Sequence, residues 1–161
     1  MIARPRVDRT RRGEVRLRLP DPERELLAGL AAELRARLDG DVDDPELRRL
    51  FPPAHADSEP DEAEYRGMVR GQLLDGRRAA LSTFETTLDR THLSDEELDA
   101  WLRVLNDLRL VLGTRLDVRE DTFARRLDAN DRDAGELAVY AYLSWLQEQV
   151  VEASAAGRTS A

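Results

Sequence analysis

The segment SDEELDAWLRVLNDLRLVLGTRL, residues 94–116, decides the fold class of this chain of 161 residues. It opens with Ser94 and Glu97 at capping-box spacing, in which each side chain bonds a free backbone N–H at a helix start. Apolar residues then recur every three or four positions, at Leu98, Trp101, Leu105, Leu108 and Leu112. Because further apolar residues widen this face, the segment predicts a central helix with several neighbours.

Two start signals upstream predict further helices. Asp21-Pro22 places an N-cap before a proline, which favours the first helical position, and leucines continue at helical spacing up to Gly40. Asp44-Pro45 repeats the signal and predicts a short helix through Phe51. Both helices precede the central one and belong to the same bundle.

From Asp61 the chain again reads as helical, but three glycines interrupt the pattern. Gly67, Gly71 and Gly76 each weaken a continuous helix by roughly 1 kcal/mol relative to alanine. This region therefore predicts a bend or two helices, the second from about Leu73 to Asp89.

Beyond the central helix, the pattern predicts a short helix through Phe123 and Leu127 and a last helix over about residues 134–153. Residues 155–161 are small and polar, which predicts a disordered tail. The expected fold is mainly α. It is a single-domain helical bundle of about five to six helices over residues 20–154, with an N-terminal β-hairpin in residues 1–19 of the same domain.

The hairpin prediction depends on the arm, residues 1–19. Residues 14–19 alternate polar and apolar side chains, the period of a strand with one buried face, and Gly13 before them suits a turn. Residues 2–10 could pair back as the first strand, with Pro5 confined to an edge or an unpaired position.

Charge separates the arm from the body. Residues 1–18 hold seven arginines and two acids, a net charge of +5, whereas the other 18 arginines face 31 acids, a net charge of −13. The arm arginines are candidate contacts to nucleic acid or to a partner, because guanidinium groups suit phosphate oxygens. They are Arg4, Arg6, Arg9, Arg11, Arg12, Arg16 and Arg18. The alternative is a solvated hairpin docked on the acidic body, whose charge repels nucleic acid.

A second candidate partner patch consists of Arg66, Arg70 and Arg77, which fall on one side if their helix is continuous. Guanidinium groups on one helix side could contact an acidic partner. Ion pairs with the acid-rich helices of the same chain are the competing interpretation.

Missing residue types exclude several chemistries. The chain has no cysteine and no lysine, which excludes disulfides, thiol nucleophiles, Cys-ligated zinc and Schiff-base catalysis. Its two histidines, His55 and His92, have no partner at metal-ligand spacing, and residues 128–139 depart from a calcium loop. We expect no catalytic, cofactor-binding or metal residues, and no enzyme activity. An enzyme using carboxylates or arginine on a small substrate is a lesser alternative.

No targeting segment and no run long enough to span a membrane is visible, which predicts a cytoplasmic location without membrane contact. The longest apolar stretch, residues 137–143, is far shorter than the roughly 20 residues that a membrane helix needs. A basic arm with no apolar core is also unlike a signal peptide.

Two stretches resemble the signature segments of the actinobacterial DUF2017 family: WLRVLNDLRLVLGTRL at residues 101–116 and YAYLSWLQ at residues 140–147. Weaker agreement extends over nearly the whole chain, through Gly13-Glu14-Val15, Tyr65-Arg66, Leu73-Leu74 and Arg77. The resemblance implies a mostly helical cytoplasmic protein in a family that includes AosR-type oxidative-stress transcriptional regulators, which act with the transcription machinery. The redox sensing attributed to those regulators uses paired cysteines, which this chain lacks.

Two hypotheses follow. The first is an AosR-like, non-enzymatic transcriptional regulator that acts through a protein partner, a sigma factor or RNA polymerase, with DNA as a further candidate partner and without cysteine redox sensing. The second is a helical protein-interaction or scaffolding module, with a homodimer as one form, unrelated to transcription. Neither hypothesis requires a cofactor.

Overall fold

A computed structural model describes residues 4–40, 44–51, 60–116 and 134–159. These residues form four α-helices and a small three-stranded antiparallel sheet, so the prediction of a mainly α fold with an N-terminal hairpin is confirmed. The helices are α1 (Asp21–Leu38), α2 (Pro60–Thr87), α3 (Asp95–Leu116) and α4 (Ala134–Thr159). The strands are β1 (Val7–Arg9), β2 (Val15–Leu17) and β3 (His92–Leu93). The described ranges thus contain fewer helices than the five to six predicted, and the helix expected through Phe123 and Leu127 lies outside them.

Helix α3 forms the centre of the bundle, as its wide apolar face predicts. Ser94 Oγ accepts from the Glu97 backbone N–H at 3.1 Å, and the Ser94 N–H donates to Glu97 Oε1 at 2.8 Å, so the capping box is formed. Trp101, Leu105 and Leu108 are all buried. Contacts to α2, α4 and α1 surround α3, so its leucines join the other helices into one core.

The expected division of this region into two helices is wrong: α2 is one continuous helix of 28 residues. A Cβ added at Gly67, Gly71 or Gly76 would meet nothing within 4 Å, so no tight packing at these glycines forces a bend. Burial of Leu81 and Phe84 near the other end anchors the helix. The helix nevertheless continues through the glycines, and the ion pair of Arg77 with Asp107 ties this part of α2 to α3.

The segment after Asp44 forms a 3-10 turn, Pro45–Leu47, instead of the short helix predicted through Phe51. The Asp44 side chain accepts from the Glu46 N–H at 2.9 Å and starts the turn. Leu47 and Phe51 are both buried, as is Leu50. Leu47, Leu50 and Phe51 stand at i, i+3 and i+4, a spacing that also shares one face of an α-helix, so the apolar pattern by itself does not separate the two forms.

The sheet has the order β1-β2-β3. Val7 pairs with Leu17 in the hairpin, and Val15 pairs with Leu93 of the third strand. Gly13 has φ +87°, a left-handed conformation that suits glycine, which supports the predicted turn. The two hairpin strands are shorter than the expected stretches 2–10 and 14–19. Strand β3 has only two residues, and its pattern is too short to predict from sequence.

Helix α4 continues six residues beyond the expected end near residue 153, to Thr159. Residues 155–159, placed in a disordered tail by their composition, are therefore helical. Gln149 of this helix covers the outer edge of β1, because its Oε1 accepts from the backbone N–H groups of Arg6 at 2.6 Å and Val7 at 3.1 Å. Docking of the hairpin on α4 gives the end of the helix a partner that local composition does not reveal.

Candidate functional site: the arginine arm and the exposed half of α2

Arg9 joins three parts of the fold, with a side chain that is only 9% exposed. Its Nε donates to the carbonyl of Ala153 at 2.9 Å, and Nη1 donates to the carbonyl of Gly13 at 2.7 Å. Its Nη2 pairs with Asp95 at 2.6 Å, at the start of α3. Gly157 leaves room for this guanidinium, since a Cβ there would lie 2.5 Å from Nη2. Arg9 therefore fixes the arm to α3 and to the last turns of α4.

Replacing Arg9 with alanine should lower the free energy of unfolding by about 2 kcal/mol, because hydrogen bonds to a largely buried charged group are lost. Urea unfolding followed by circular dichroism measures the change. Arg12→Ala, at an exposed position of the same arm, is the matched control and should change stability by less than about 0.5 kcal/mol. Equal losses for the two variants would show that Arg9 does not hold the arm in place.

Arg16 and Arg18 share one carboxylate within the hairpin. Arg16 Nη2 lies 3.0 Å and Arg18 Nη1 lies 3.1 Å from the oxygens of Asp8. Partial burial by itself would raise the pKa of Asp8, but the hydrogen bond from Arg16 and the charge of Arg18 outweigh it and lower the pKa. These two arginines therefore stabilise the hairpin on which they lie.

The lowered pKa of Asp8 predicts a pH dependence. The carboxylate stabilises the fold above its unfolded pKa of about 4, and this stabilisation is lost as the pH falls through the lower pKa of the folded state. Asp8→Asn should lower the free energy of unfolding by about 1 kcal/mol at pH 7. This gap, the difference in the free energy of unfolding between the parent chain and the variant, should narrow below pH 4. Glu25→Gln, which changes an exposed acid on α1, should leave the gap near zero at both pH values. A gap that is the same at pH 7 and pH 3 would contradict this role.

Arg6 lies between a carboxylate and an aromatic ring. Its guanidinium pairs with Glu23 of α1 at 2.9 Å and lies 5.5 Å from the ring centroid of Trp145 on α4. Burial raises the pKa of Tyr142, whose ring packs against Trp145, and the carboxylate of Glu23 adds to this. The chain's own arginine thus occupies the cation-binding face of this aromatic pair.

The remaining arm arginines of the predicted set are Arg4, Arg11 and Arg12, and all three are exposed. Arg11 and Arg12 lie beside Gly13, at the tip of the hairpin. The structure thus divides the seven arm arginines into four with ion pairs inside the chain and three that face solvent.

The inward side of α2 holds the second predicted arginine patch. Arg77 pairs with Asp107 of α3, donates to the carbonyl of Leu50 at 3.1 Å and lies 5.6 Å from the ring centroid of Phe51. Arg70 lies 5.2 Å from the same ring centroid, and Arg66 also has a partner. Arg77 therefore makes the interhelical ion pair that the sequence offered as the alternative, and Arg70 lies beside it over the same ring.

The opposite side of α2 exposes large apolar side chains. Residues 63–79 contain no buried side chain, whereas the last turns of the helix bury Leu81 and Phe84. Tyr65 is 69% exposed and Met68 is 63% exposed. We call residues 63–79 the exposed half of α2. Sequence reasoning missed this surface, although two apolar residues three positions apart and off the leucine face were the available signal.

The seam between α3 and α4 forms an open groove. Arg109 lines it, with Nε donating to Ser144 Oγ at 2.9 Å and Nη1 donating to Gln147 Oε1 at 2.7 Å. Within the described ranges, no three or more histidine or acidic residues cluster closely enough to hold a metal ion. None of the described helices combines the length and apolar character that crossing a lipid bilayer requires.

These features define a mainly α domain with an arginine hairpin docked on its body and one helix with an exposed apolar half. The chain belongs to the DUF2017 family, "Domain of unknown function", whose model matches residues 3–154. The family resemblance carried by residues 101–116 and 140–147 is thereby confirmed.

Curated relatives from mycobacteria share part of this sequence. The chain is 33% identical over 125 residues to "Oxidative stress regulator AosR" of Mycobacterium tuberculosis (strain ATCC 25618 / H37Rv), an alignment covering 67% of this chain and 57% of the relative. It is 29% identical over 149 residues to "Putative oxidative stress regulator AosR" of Mycobacterium leprae, covering 82% of this chain and 66% of the relative. The chain thus spans less than two thirds of the length of these relatives. No solved structure matches it.

Proposed function

We propose that this chain is an AosR-like, non-enzymatic regulator of the oxidative-stress response that acts in the cytoplasm through a protein partner of the transcription machinery, a sigma factor or RNA polymerase. The names of its mycobacterial relatives support a regulatory role. The absence of cysteine means that its response does not use a disulfide.

One structural observation carries the choice of a protein partner: the exposed half of α2. Exposed tyrosine and methionine side chains close together are typical of protein-binding surfaces, where aromatic residues and methionine are enriched. Tyr65 and Met68 lie three positions apart and therefore on neighbouring parts of one helix surface. A partner that covers them would also stabilise a helix half that has no buried side chain of its own.

The arm makes a lesser contribution in this proposal. Four of its seven arginines already have carboxylate partners within the chain, and a net charge of −8 repels DNA. Arg4, Arg11 and Arg12 are the arm residues that we assign to partner contact, with DNA as a further candidate. Such contacts weaken steeply as salt rises, whereas apolar contacts of α2 do not.

Co-purification with the host RNA polymerase holoenzyme at low and high ionic strength tests the proposal. We expect retention at both, with affinity falling about tenfold in the double variant Tyr65→Ser/Met68→Ser. Val151→Ser, which removes an exposed apolar side chain from α4, is the matched control and should bind like the parent chain. Arg11→Ala/Arg12→Ala should weaken only the low-salt complex.

Two results would contradict the proposal. A chain that retains no polymerase subunit or sigma factor at either ionic strength has no such partner. Should light scattering then show a stable homodimer, the scaffolding alternative is the better description. Equal binding by the α2 double variant and the Val151→Ser control would remove α2 from the interface.

A further inference from the structure

Met68 holds the one thioether among the described residues. The sequence holds two methionines, Met1 and Met68, and no cysteine. Met68 is 63% exposed, although methionine is ordinarily among the residues found inside proteins. Its sulfur is therefore open to small oxidants in solution, without any opening of the fold.

The helix around Met68 has few buried apolar contacts. Gly67 and Gly71 flank the methionine and Gly76 follows, and each costs the helix roughly 1 kcal/mol relative to alanine. Leu74 is only partly buried against the core, and the ties of residues 63–79 to the body are polar contacts on the other side of the helix: Arg70 and Arg77 lie over the Phe51 ring, Arg77 pairs with Asp107, and Arg78 pairs with Asp39. The turns around Met68 thus have few buried apolar contacts, so a small chemical change in them is visible in their dynamics.

We propose that Met68 is an oxidation site through which the chain responds to peroxides. One peroxide oxygen is transferred to the Met68 sulfur, which forms an S–O bond as the O–O bond breaks. The sulfur is oxidised by two electrons, hydrogen peroxide is reduced by the same two, and the products are methionine sulfoxide and water. The sulfoxide is polar and chiral where the thioether was apolar.

The effect of the sulfoxide depends on its position on α2. A polar sulfoxide beside Tyr65 makes the exposed half of α2 less apolar and less helical, and both effects oppose the partner contact. The idea that oxidation serves regulation rests on the proposed function. The chemistry and its effect on α2 do not, because they concern the chain alone.

The test uses the purified full chain treated with dilute hydrogen peroxide. Peptide mass spectrometry should find one added oxygen at Met68, and amide hydrogen exchange should become about threefold faster in residues 63–79, the size of an ordinary helix-propensity difference. Exchange in residues 95–112 of α3 should not change. Methionine sulfoxide reductase should reverse both the mass and the exchange rate.

Two variants test whether the faster exchange comes from oxidation of the Met68 sulfur. Met68→Leu keeps an apolar helix former without the sulfur, so peroxide should leave its exchange unchanged. Met68→Gln imitates the polar sulfoxide and should show the faster exchange without peroxide. Full oxidation of Met68 with unchanged exchange in residues 63–79, or the same peroxide response in Met68→Leu, would overturn the proposal.

The outcome is distinguishable from failure of the proposed function. The exchange experiment contains no partner, so it can fail while polymerase co-purification succeeds. If the exchange response is present but no transcription component is retained, the oxidation site stands and the partner assignment falls.

Discussion

Trp101→Ala should lower the free energy of unfolding by about 4 kcal/mol, because truncating a fully buried tryptophan leaves a cavity that the surrounding side chains fill only in part. Trp101 is 0% exposed, and its ring centroid lies 4.5 Å from that of Phe84. Its Nε1 donates to Thr87 Oγ1 at 2.7 Å. This residue therefore joins α3 to α2 through both packing and a buried hydrogen bond.

Denaturant unfolding measured by far-ultraviolet circular dichroism and by tryptophan fluorescence checks this expectation. Trp101→Phe is the matched control: it retains most of the ring volume and should cost about 1 kcal/mol for the lost hydrogen bond. The Thr87 hydroxyl still donates to the carbonyl of Thr83 in that variant, at 2.8 Å, so its proton keeps a partner. A loss below 1 kcal/mol for Trp101→Ala would mean that α3 is not the centre of the core.

Asp107→Ala is expected to produce the second large loss, about 3 kcal/mol, because removing one member of a buried ion pair leaves the other charge uncompensated. The Asp107 side chain is 3% exposed and accepts a hydrogen bond from Arg77 Nη1. Burial raises the pKa of Asp107 even though Arg77 opposes the shift. Burying the Asp107 carboxylate thus costs free energy, but leaving the Arg77 guanidinium without its carboxylate partner costs more.

The pKa shift sets a further expectation for the same residue. Because the folded-state pKa is raised, the contribution of Asp107 to stability is greatest below its unfolded pKa of about 4 and falls as the pH rises through the folded-state pKa. Asp107→Asn retains an oxygen that can accept from Arg77 and should cost less than half as much as Asp107→Ala at pH 7. The Asp107→Asn variant should also lose this downward trend with pH.

Asp99→Ala gives the comparison on the same helix, since Asp99 is exposed. We expect a change within about 0.5 kcal/mol for this surface position. Comparable losses for Asp99→Ala and Asp107→Ala, measured by the same urea titration, would remove the buried pair as the cause.

The apolar pattern of α3 was predictable because it is local and redundant. Its capping box and its leucine spacing both indicate the same helix, and each involves residues close in sequence. The same reasoning failed for α2, where glycine propensity predicted a bend or two helices and the chain forms one continuous helix. Its glycine-bearing part is tied to α3 by the pair of Arg77 with Asp107, two residues that lie 30 positions apart in sequence.

For the candidate surfaces too, the sequence predicted some features and only the fold decided others. The sequence shows that the arm is basic, but only the folded chain shows that Arg6 and Arg9 have partners on α1, α3 and α4. An ion pair depends on where two distant side chains meet, and single-chain spacing does not contain that information. The exposure of Met68 also depends on distant residues. A methionine in a helical pattern is more often part of a core, and the fold shows that this side chain faces solvent.

The sequence by itself determined the helical class, the start of α3, the turn at Gly13, the family and the exclusion of thiol chemistry, since these depend on composition and on neighbours a few positions apart. The tertiary structure alone decided that α2 is unbroken, that α4 extends to Thr159, that Arg77 faces inward and that Tyr65 and Met68 face outward. The physical reason is that burial and charge pairing depend on which distant surfaces meet, and that is settled only when the whole chain packs.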